Sequence, residues 1–258
     1  MLVLSCGGRQ TTASQEEGDT VRFKYATQLS IVRYDGYTVA TLKNPWKEGM
    51  VLHQYVLVPK DQEAVPQIHG ATIIRTPLRR SMIFSTVHCA MLMDLGRQDC
   101  IAGVADLKYI KIPWIQQQVK DGRISDVGDG LSPVVEKIID QRPDALFLSP
   151  FENSGGYGKL EDIDIPIVEC AEYMESSPLG RAEWLRFYGI LFGCEAQADS
   201  LFAVVDSSYN ALKNLVRSQE TGNRKQPAVL VDKVTGSVWY VPGGKSTLGQ
   251  LIHDAGGL

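Results

Sequence analysis

Histidine is scarce in this chain, the cysteines show no paired spacing, and long apolar runs are missing. The four histidines fall at 53, 69, 88 and 253, with no HxH or HxxxH spacing. A bare zinc or manganese ion needs several His and carboxylate ligands converging, so neither a metal site nor any other cofactor is expected. The five cysteines include no CxxC pair. Cys89, Cys100, Cys170 and Cys194 sit among apolar residues and are expected as buried free thiols. One disulfide stays open as an alternative in an oxidising compartment. No run approaches the ~20 apolar residues that span a bilayer. There is no basic excess: the formal charge is -4 and the pI near 5.6, which argues against a nucleic-acid partner.

Catalytic signatures are also thin. No GxSxG elbow occurs. Gly243-Gly244-Lys245-Ser246-Thr247 lacks the spacing of a phosphate loop, since position 239 is Trp. Cys89 directly follows His88, but adjacency in sequence does not make a catalytic pair. The carboxylate pairs Asp126/Asp129 and Glu169/Glu172 carry nothing that marks a raised pKa. The chain is not expected to be an enzyme.

What is present is a globular composition, 44% hydrophobic and 22% charged, away from the disordered class. Residues 21–69 show short alternating runs (Val21–Tyr25, Leu29–Tyr34, Tyr37–Leu42, Val51–Val58), with Asp35-Gly36 as a hairpin signal. An antiparallel meander is expected there, either a structural addition or part of a ligand rim. From about residue 70 strands and helices alternate, which implies a mostly parallel sheet. The strands are Ser81–Thr86, Cys100–Val104, Ala145–Ser149 and Ile165–Glu169. The helices are Cys89–Leu95, Trp114–Asp121 and a helix-patterned Leu131–Gln141. Residues 70–193 form one α/β lobe in this division. A long helix covers 194–219, and residues 220–258 open a second α/β segment with strands at Pro227–Val231 and Gly236–Val241 and a helix at Thr247–Ala255. These few elements cannot bury their own faces.

Ligands in open α/β lobes sit at the carboxyl ends of the strands. Those ends give Ser85, Thr86 and His88, then Asp106 and Tyr109, then Phe151, Glu152 and Asn153, then Glu172 and Tyr173. From the last segment come Trp239, Tyr240, Gly243 and Gly244. Aromatic walls with a few placed polar groups suit a bulky ligand. Each residue has a plainer alternative: Trp239 and Tyr240 as strand packing, His88 as a helix cap or packed polar residue, Tyr109 as ordinary packing rather than an oxygen donor to iron. The Gly-rich run at 154–158 is either a mobile lip of the cleft or a plain turn.

Several motifs occur together in order. Residues 79–88 (Arg-Arg-Ser-Met-Ile-Phe-Ser-Thr-Val-His) lead into a helix ending Leu95-Gly96. Then follow Cys-Ile-Ala-Gly-Val at 100–104, Val127-Gly128, Leu131, Glu136 and Arg-Pro-Asp-Ala-Leu at 142–146. Ile-Pro-Ile-Val at 165–168, Val-Pro-Gly-Gly-Lys-Ser at 241–246 and Asp-Ala-Gly-Gly at 254–257 complete the series. In this order they resemble the class III periplasmic substrate-binding proteins of ABC importers, which carry ferric siderophores, haem and cobalamin. The meander and the run Pro-Leu-Gly-Arg-Ala-Glu-Trp at 178–184 are similar to a lipoprotein branch of that family found in Bacteroidetes-type bacteria. Family members continue well past the Ala-Gly-Gly, so the second lobe looks incomplete in this sequence. The resemblance implies two α/β lobes joined by a long helix, a metal chelate in the cleft, and delivery to a permease. It also implies a docking role for Glu136, seven residues before Pro143, on an arginine pocket of that permease. Leu2–Cys6 resembles the lipobox of bacterial lipoproteins, with Cys6 as the lipidated residue and residues 7–20 as a tether. That places the expected protein in the periplasm or cell envelope, anchored to a membrane. A chelate-handling enzyme and an importer-independent binding module are the alternatives on the same fold.

Overall fold

A computed structural model of the chain describes residues 18–152, 156–219, 226–230 and 233–258. The lipidation expected at Cys6 and the ligand contact expected at Asn153 lie outside these residues.

The first sheet is built from β1 (Asp19–Val21), β2 (Leu29–Tyr34), β3 (Tyr37–Lys43), β4 (Val51–Pro59) and β5 (Thr72–Thr76), hydrogen-bonded in chain order. The first three junctions are antiparallel. Asp35-Gly36 makes the tight β2–β3 turn, with Gly36 at φ +80°, a conformation glycine adopts without steric cost. β5 runs parallel to β4, so the strand just after residue 70 joins this sheet and not the lobe that follows.

The second sheet holds β6 (Ser81–Ile83), β7 (Ile101–Val104), β8 (Ser125–Asp126), β11 (Ala145–Leu148) and β12 (Ile167–Glu169). All its pairings are parallel, in the order β12-β11-β6-β7-β8. β6, β7 and β11 are buried at every position, as continuous apolar runs must be in a parallel sheet covered on both faces. Helices α1 (Thr86–Asp94), α2 (Pro113–Lys120) and α3 (Val135–Gln141) make the crossovers. A small hairpin, β9 (Gly128–Asp129) with β10 (Ser132–Pro133), takes up residues expected in the third helix, which therefore begins only at Val135.

After β12 come α4 (Pro178–Glu183), α5 (Leu185–Phe192) and the 25-residue α6 (Glu195–Gln219). At about 1.5 Å per residue α6 is close to 37 Å long. Gly193 ends α5 at φ +61°, the left-handed closing conformation that favours glycine. Beyond it lie the antiparallel hairpin β13 (Lys233–Thr235) and β14 (Val238–Tyr240), and then α7 (Thr247–Asp254). Residues 226–230 are not assigned to a strand, where one was expected over 227–231; the Val229 N–H donates to the Leu258 carbonyl and the Leu258 N–H to the Pro227 carbonyl. α7 rests on α6 through Asp254, which accepts from the Tyr209 hydroxyl at 2.9 Å and pairs with Lys213 at 2.7 Å.

One core joins the two sheets. Leu42, Tyr55, Leu57 and Ile74 of the first sheet share it with Phe147 of the second and with Trp184, Phe187 and Phe192 of α4–α5. The amino-terminal sheet is thus part of the packing of the lobe rather than an appended unit. Two buried carboxylates fasten it. Glu183 accepts the backbone N–H groups of Lys24, Tyr25 and Ala26 at 2.7–2.9 Å. Glu175 accepts those of Thr27 and Gln28 and the Trp184 indole N–H.

Candidate functional site

In the order β12-β11-β6-β7-β8, the chain leaves β6 in one direction through β7 and returns on its other side as β11. The switch point between β6 and β11 opens a crevice at their carboxyl ends, where open α/β sheets bind ligands. Two cavities occupy it. The smaller, about 320 Å³, is lined by Ser85, His88, Phe151, Glu172, Tyr173 and Arg181 among others. The larger, about 590 Å³, extends past Asp106, Phe151 and Tyr157 to Glu136. A further space of about 920 Å³ lies between Tyr173, Arg181 and the start of α7. Volumes of this size suit small-molecule ligands.

Local sequence explains the floor. β6 ends in Phe84, and Ser85 is in extended backbone as the cap of α1, its hydroxyl accepting the His88 N–H. That cap fixes where the helix starts and turns His88 inward. His88 is 2% exposed and Glu172 6%. The His88 ring is held on both sides, Nδ1 by Ser85 Oγ at 2.6 Å and Nε2 by Glu172 Oε1 at 2.9 Å. Tyr188 of α5 donates its hydroxyl to Glu172 Oε2 at 2.8 Å. Burial disfavours a charged imidazole, but the Cys170 sulfur and the Glu172 carboxylate outweigh it and raise His88 to about 10. Burial likewise opposes ionisation of Glu172, and the His88 and Tyr188 hydrogen bonds reverse that, holding it below the ordinary carboxylate range. The two form a buried ion pair. Ser85, His88 and Glu172 stand in a row like a nucleophile, base and acid, but the upward shift of His88 makes its imidazole a poorer acceptor for a proton from Ser85.

The expected site residues divide. Ser85, His88, Phe151, Glu172 and Tyr173 come together at the smaller cavity. Tyr173 donates its hydroxyl to the Pro150 carbonyl. Asp106 lines the larger one at φ +54°, a conformation uncommon outside glycine and frequent at functional loops. Gly130 faces it so closely that a Cβ would lie 2.6 Å from Asp106 Oδ2. Val87 rather than Thr86 lines the crevice. Glu152 is exposed and outside the cavities. Tyr109 is not brought to the crevice; it is 67% exposed, with Lys108 over its ring. Trp239 and Tyr240 face solvent at 61% and 55% exposure; their hairpin pairs with itself and does not join the parallel sheet. Gly243 and Gly244 precede α7, and the neighbouring cavity is lined by Pro242 and Lys245 instead. Glu136 is exposed in the first turn of α3, on the rim of the larger cavity.

Arg181 and Tyr188 were missed. Arg181, on α4, faces both the small crevice and the space beside α7, and among the described residues its guanidinium has no hydrogen-bond or ion-pair partner. Its signal was the capped start Ser177-Pro178 of a short helix, which sets the side four residues on. Tyr188 was hidden in an apolar helical run.

A model of the periplasmic binding protein family matches residues 87–257. The chain belongs to the periplasmic binding protein family. An uncharacterized lipoprotein of Methanocaldococcus jannaschii is 26% identical over 92% of this chain and 61% of its own length. The chain spans about three fifths of that relative. Among solved structures, an ABC transporter substrate-binding protein from Listeria monocytogenes aligns with TM-score 0.54 and 17% identity, over 69% of this chain and 64% of that one. The periplasmic catecholate-siderophore binding protein of Vibrio cholerae aligns with TM-score 0.55 and 18% identity, over 71% and 62%. At these identities the structures support the fold: an α/β lobe with a parallel sheet, preceded in this periplasmic binding protein by the amino-terminal strands.

Proposed function

We propose that this periplasmic binding protein captures a metal chelate, a ferric siderophore first and cobalamin second, and hands it to an ABC importer. The observation that carries this is the switch-point crevice, lined by the aromatic rings of Phe151 and Tyr173 and by the unpartnered guanidinium of Arg181. Ferric complexes of catecholate and carboxylate chelators are bulky anions. An aromatic wall and one placed arginine suit such a ligand, because a guanidinium gives forked, charge-assisted hydrogen bonds to oxygen. The catecholate-siderophore binding protein among the structural neighbours agrees with that ligand class. In this reading Glu136 meets a basic pocket of the permease and contributes orientation and on-rate more than affinity. Cys6 carries the lipid, in line with the lipoprotein name of the archaeal relative, and the protein works in the cell envelope as a binder without catalysis.

The test is a titration of the protein with a ferric catecholate, a ferric hydroxamate, cyanocobalamin and haem, followed by tryptophan quenching and thermal shift. Saturable binding of one of them is expected. No response to any member of the panel would refute the proposal.

A further inference from the structure

The buried pair beneath the crevice has a third member. Cys170, fully buried at the end of β12, brings its Sγ to the His88 ring and the Glu172 carboxylate, so that one ligand atom from each lies within 4.8 Å of the other two. We propose that His88, Cys170 and Glu172 bind a divalent cation of the zinc class beneath the ligand crevice. The scarcity of histidine pairs hid this site, because its ligands come from two strand ends rather than one motif.

Three observations support it. The first is the donor set. Imidazole nitrogen, thiolate sulfur and carboxylate oxygen are the ligands zinc takes, and around a tetrahedral ion they stand about 3.3–3.6 Å apart. His88 Nε2 and Glu172 Oε1 are 2.9 Å apart and the Cys170 sulfur is within 4.8 Å of both, so the pair opens slightly and the sulfur closes in to reach that spacing. The second is the surrounding hydrogen bonding. Ligating histidines hold their other ring nitrogen on a fixed acceptor, and ligating carboxylates are themselves hydrogen-bonded. Ser85 Oγ already lies 2.6 Å from His88 Nδ1, and Tyr188 donates to the Glu172 oxygen that faces away from His88. The third is charge. As the ion enters, the His88 imidazolium and the Cys170 thiol each release a proton to solvent; the resulting thiolate and carboxylate supply two negative charges, which one divalent cation cancels, and an electroneutral cluster is what a buried site tolerates.

Access also fits. His88 and Glu172 line the smaller cavity, which gives an ion a way in and leaves its fourth position toward the crevice. A site with three protein ligands and one open position is exchangeable rather than purely structural. This proposal concerns a resident ion and stands independently of which chelate the crevice takes.

Cobalt(II) is the probe. Chelator-treated full chain is titrated with Co2+, and a thiolate-to-cobalt charge-transfer band in the near ultraviolet, saturating at one equivalent and abolished by Zn2+, is expected. The band should survive Cys89→Ser and vanish in Cys170→Ser. Ser85→Ala should weaken Zn2+ binding by roughly 10–100-fold, the effect usual for residues that orient a metal ligand. Absence of a charge-transfer band in the wild-type chain overturns the proposal, as does a band that persists in Cys170→Ser. If Cys170→Ser does not fold, Glu172→Gln takes its place: Zn2+ affinity unchanged in both Glu172→Gln and Ser85→Ala overturns it equally.

Discussion

Removing the Glu183 side chain should loosen the whole amino-terminal sheet. Glu183 is 1% exposed. Its Oε1 accepts the Lys24 N–H at 2.8 Å, and its Oε2 accepts those of Tyr25 and Ala26 at 2.7 and 2.9 Å. Hydrogen bonds to a charged group contribute roughly 1.5–3 kcal/mol each. Three of them would sum to more than is expected, because Lys24 is exposed and water can serve its N–H once the carboxylate is gone. The two half-buried donors, Tyr25 and Ala26, dominate, and Glu183→Ala should cost about 3–5 kcal/mol. Glu183→Gln is the sharper test. Its amide oxygen can take the Oε2 position and keep two bonds, while its NH2 group then opposes the Lys24 N–H. A loss of about 2 kcal/mol is expected. Urea denaturation would give both values from the midpoint shift at constant slope. Hydrogen exchange should show lost protection confined first to the amides of residues 24–26. Loss of less than about 1 kcal/mol in Glu183→Ala, or unchanged exchange at these amides, would refute the clamp.

Arg181→Ala should weaken chelate binding by one charge-assisted contact, about 1.5–3 kcal/mol or roughly 10–150-fold in Kd; Arg181→Lys should lose less, and equal affinity in all three proteins would remove Arg181 from the ligand site. Glu136→Arg should reduce uptake in a complemented strain far more than it reduces binding in solution, and parallel losses would count against docking. Glu169 predicts a pH dependence. Burial, reinforced by the Glu161 charge and opposed by the Tyr157 hydrogen bond, raises it from 4.5 to about 7. Between those values the folded chain keeps a proton that the unfolded chain releases, so stability falls as pH rises through the window. The full effect is at most about 3 kcal/mol, reduced by the solvent that reaches the side chain. Glu169→Gln should therefore gain on the wild type at pH 8 and match it at pH 4 in thermal melts; an unchanged difference across that range would contradict the assignment.

The parallel sheet could be read from sequence because its strands are short apolar runs between turn residues, and both faces of such strands are buried. Boundaries were harder. The helix-patterned stretch from Leu131 begins as a hairpin, since Gly128, Gly130 and Pro133 bend the chain before Val135 can propagate a helix. The last segment misled for another reason. Trp239 and Tyr240 carry the composition of a cleft wall, but alternation along a strand says nothing about where the sheet lies, and their hairpin pairs with itself instead of joining the parallel sheet. The crevice residues were found where strand ends could be predicted, at Ser85, His88, Phe151, Glu172 and Tyr173. Arg181 and Tyr188 sit on helices placed by packing; the Ser177-Pro178 cap marks where the Arg181 helix starts, but no local pattern says that it faces the crevice.

Cys170 shows how topology builds what spacing cannot. It is 82 positions from His88 by the numbering, just after β12, one of the two edge strands of the sheet. β11 alone separates β12 from β6, and parallel strands bring their carboxyl ends to one level. The residues that follow β6 and β12 therefore converge at the switch point. Ser85 then turns His88 toward that point by capping α1, and Tyr188 closes it from α5. A cap, a strand end and a helix face, each ordinary by itself, place nitrogen, sulfur and oxygen donors under the same crevice. The ligand above them and the ion proposed among them would share one wall, His88 and Glu172. A chelate in the crevice should then change the cobalt spectrum of the filled site if it reaches the open coordination position, and leave it unaltered if Phe151 and Tyr173 hold it above the floor.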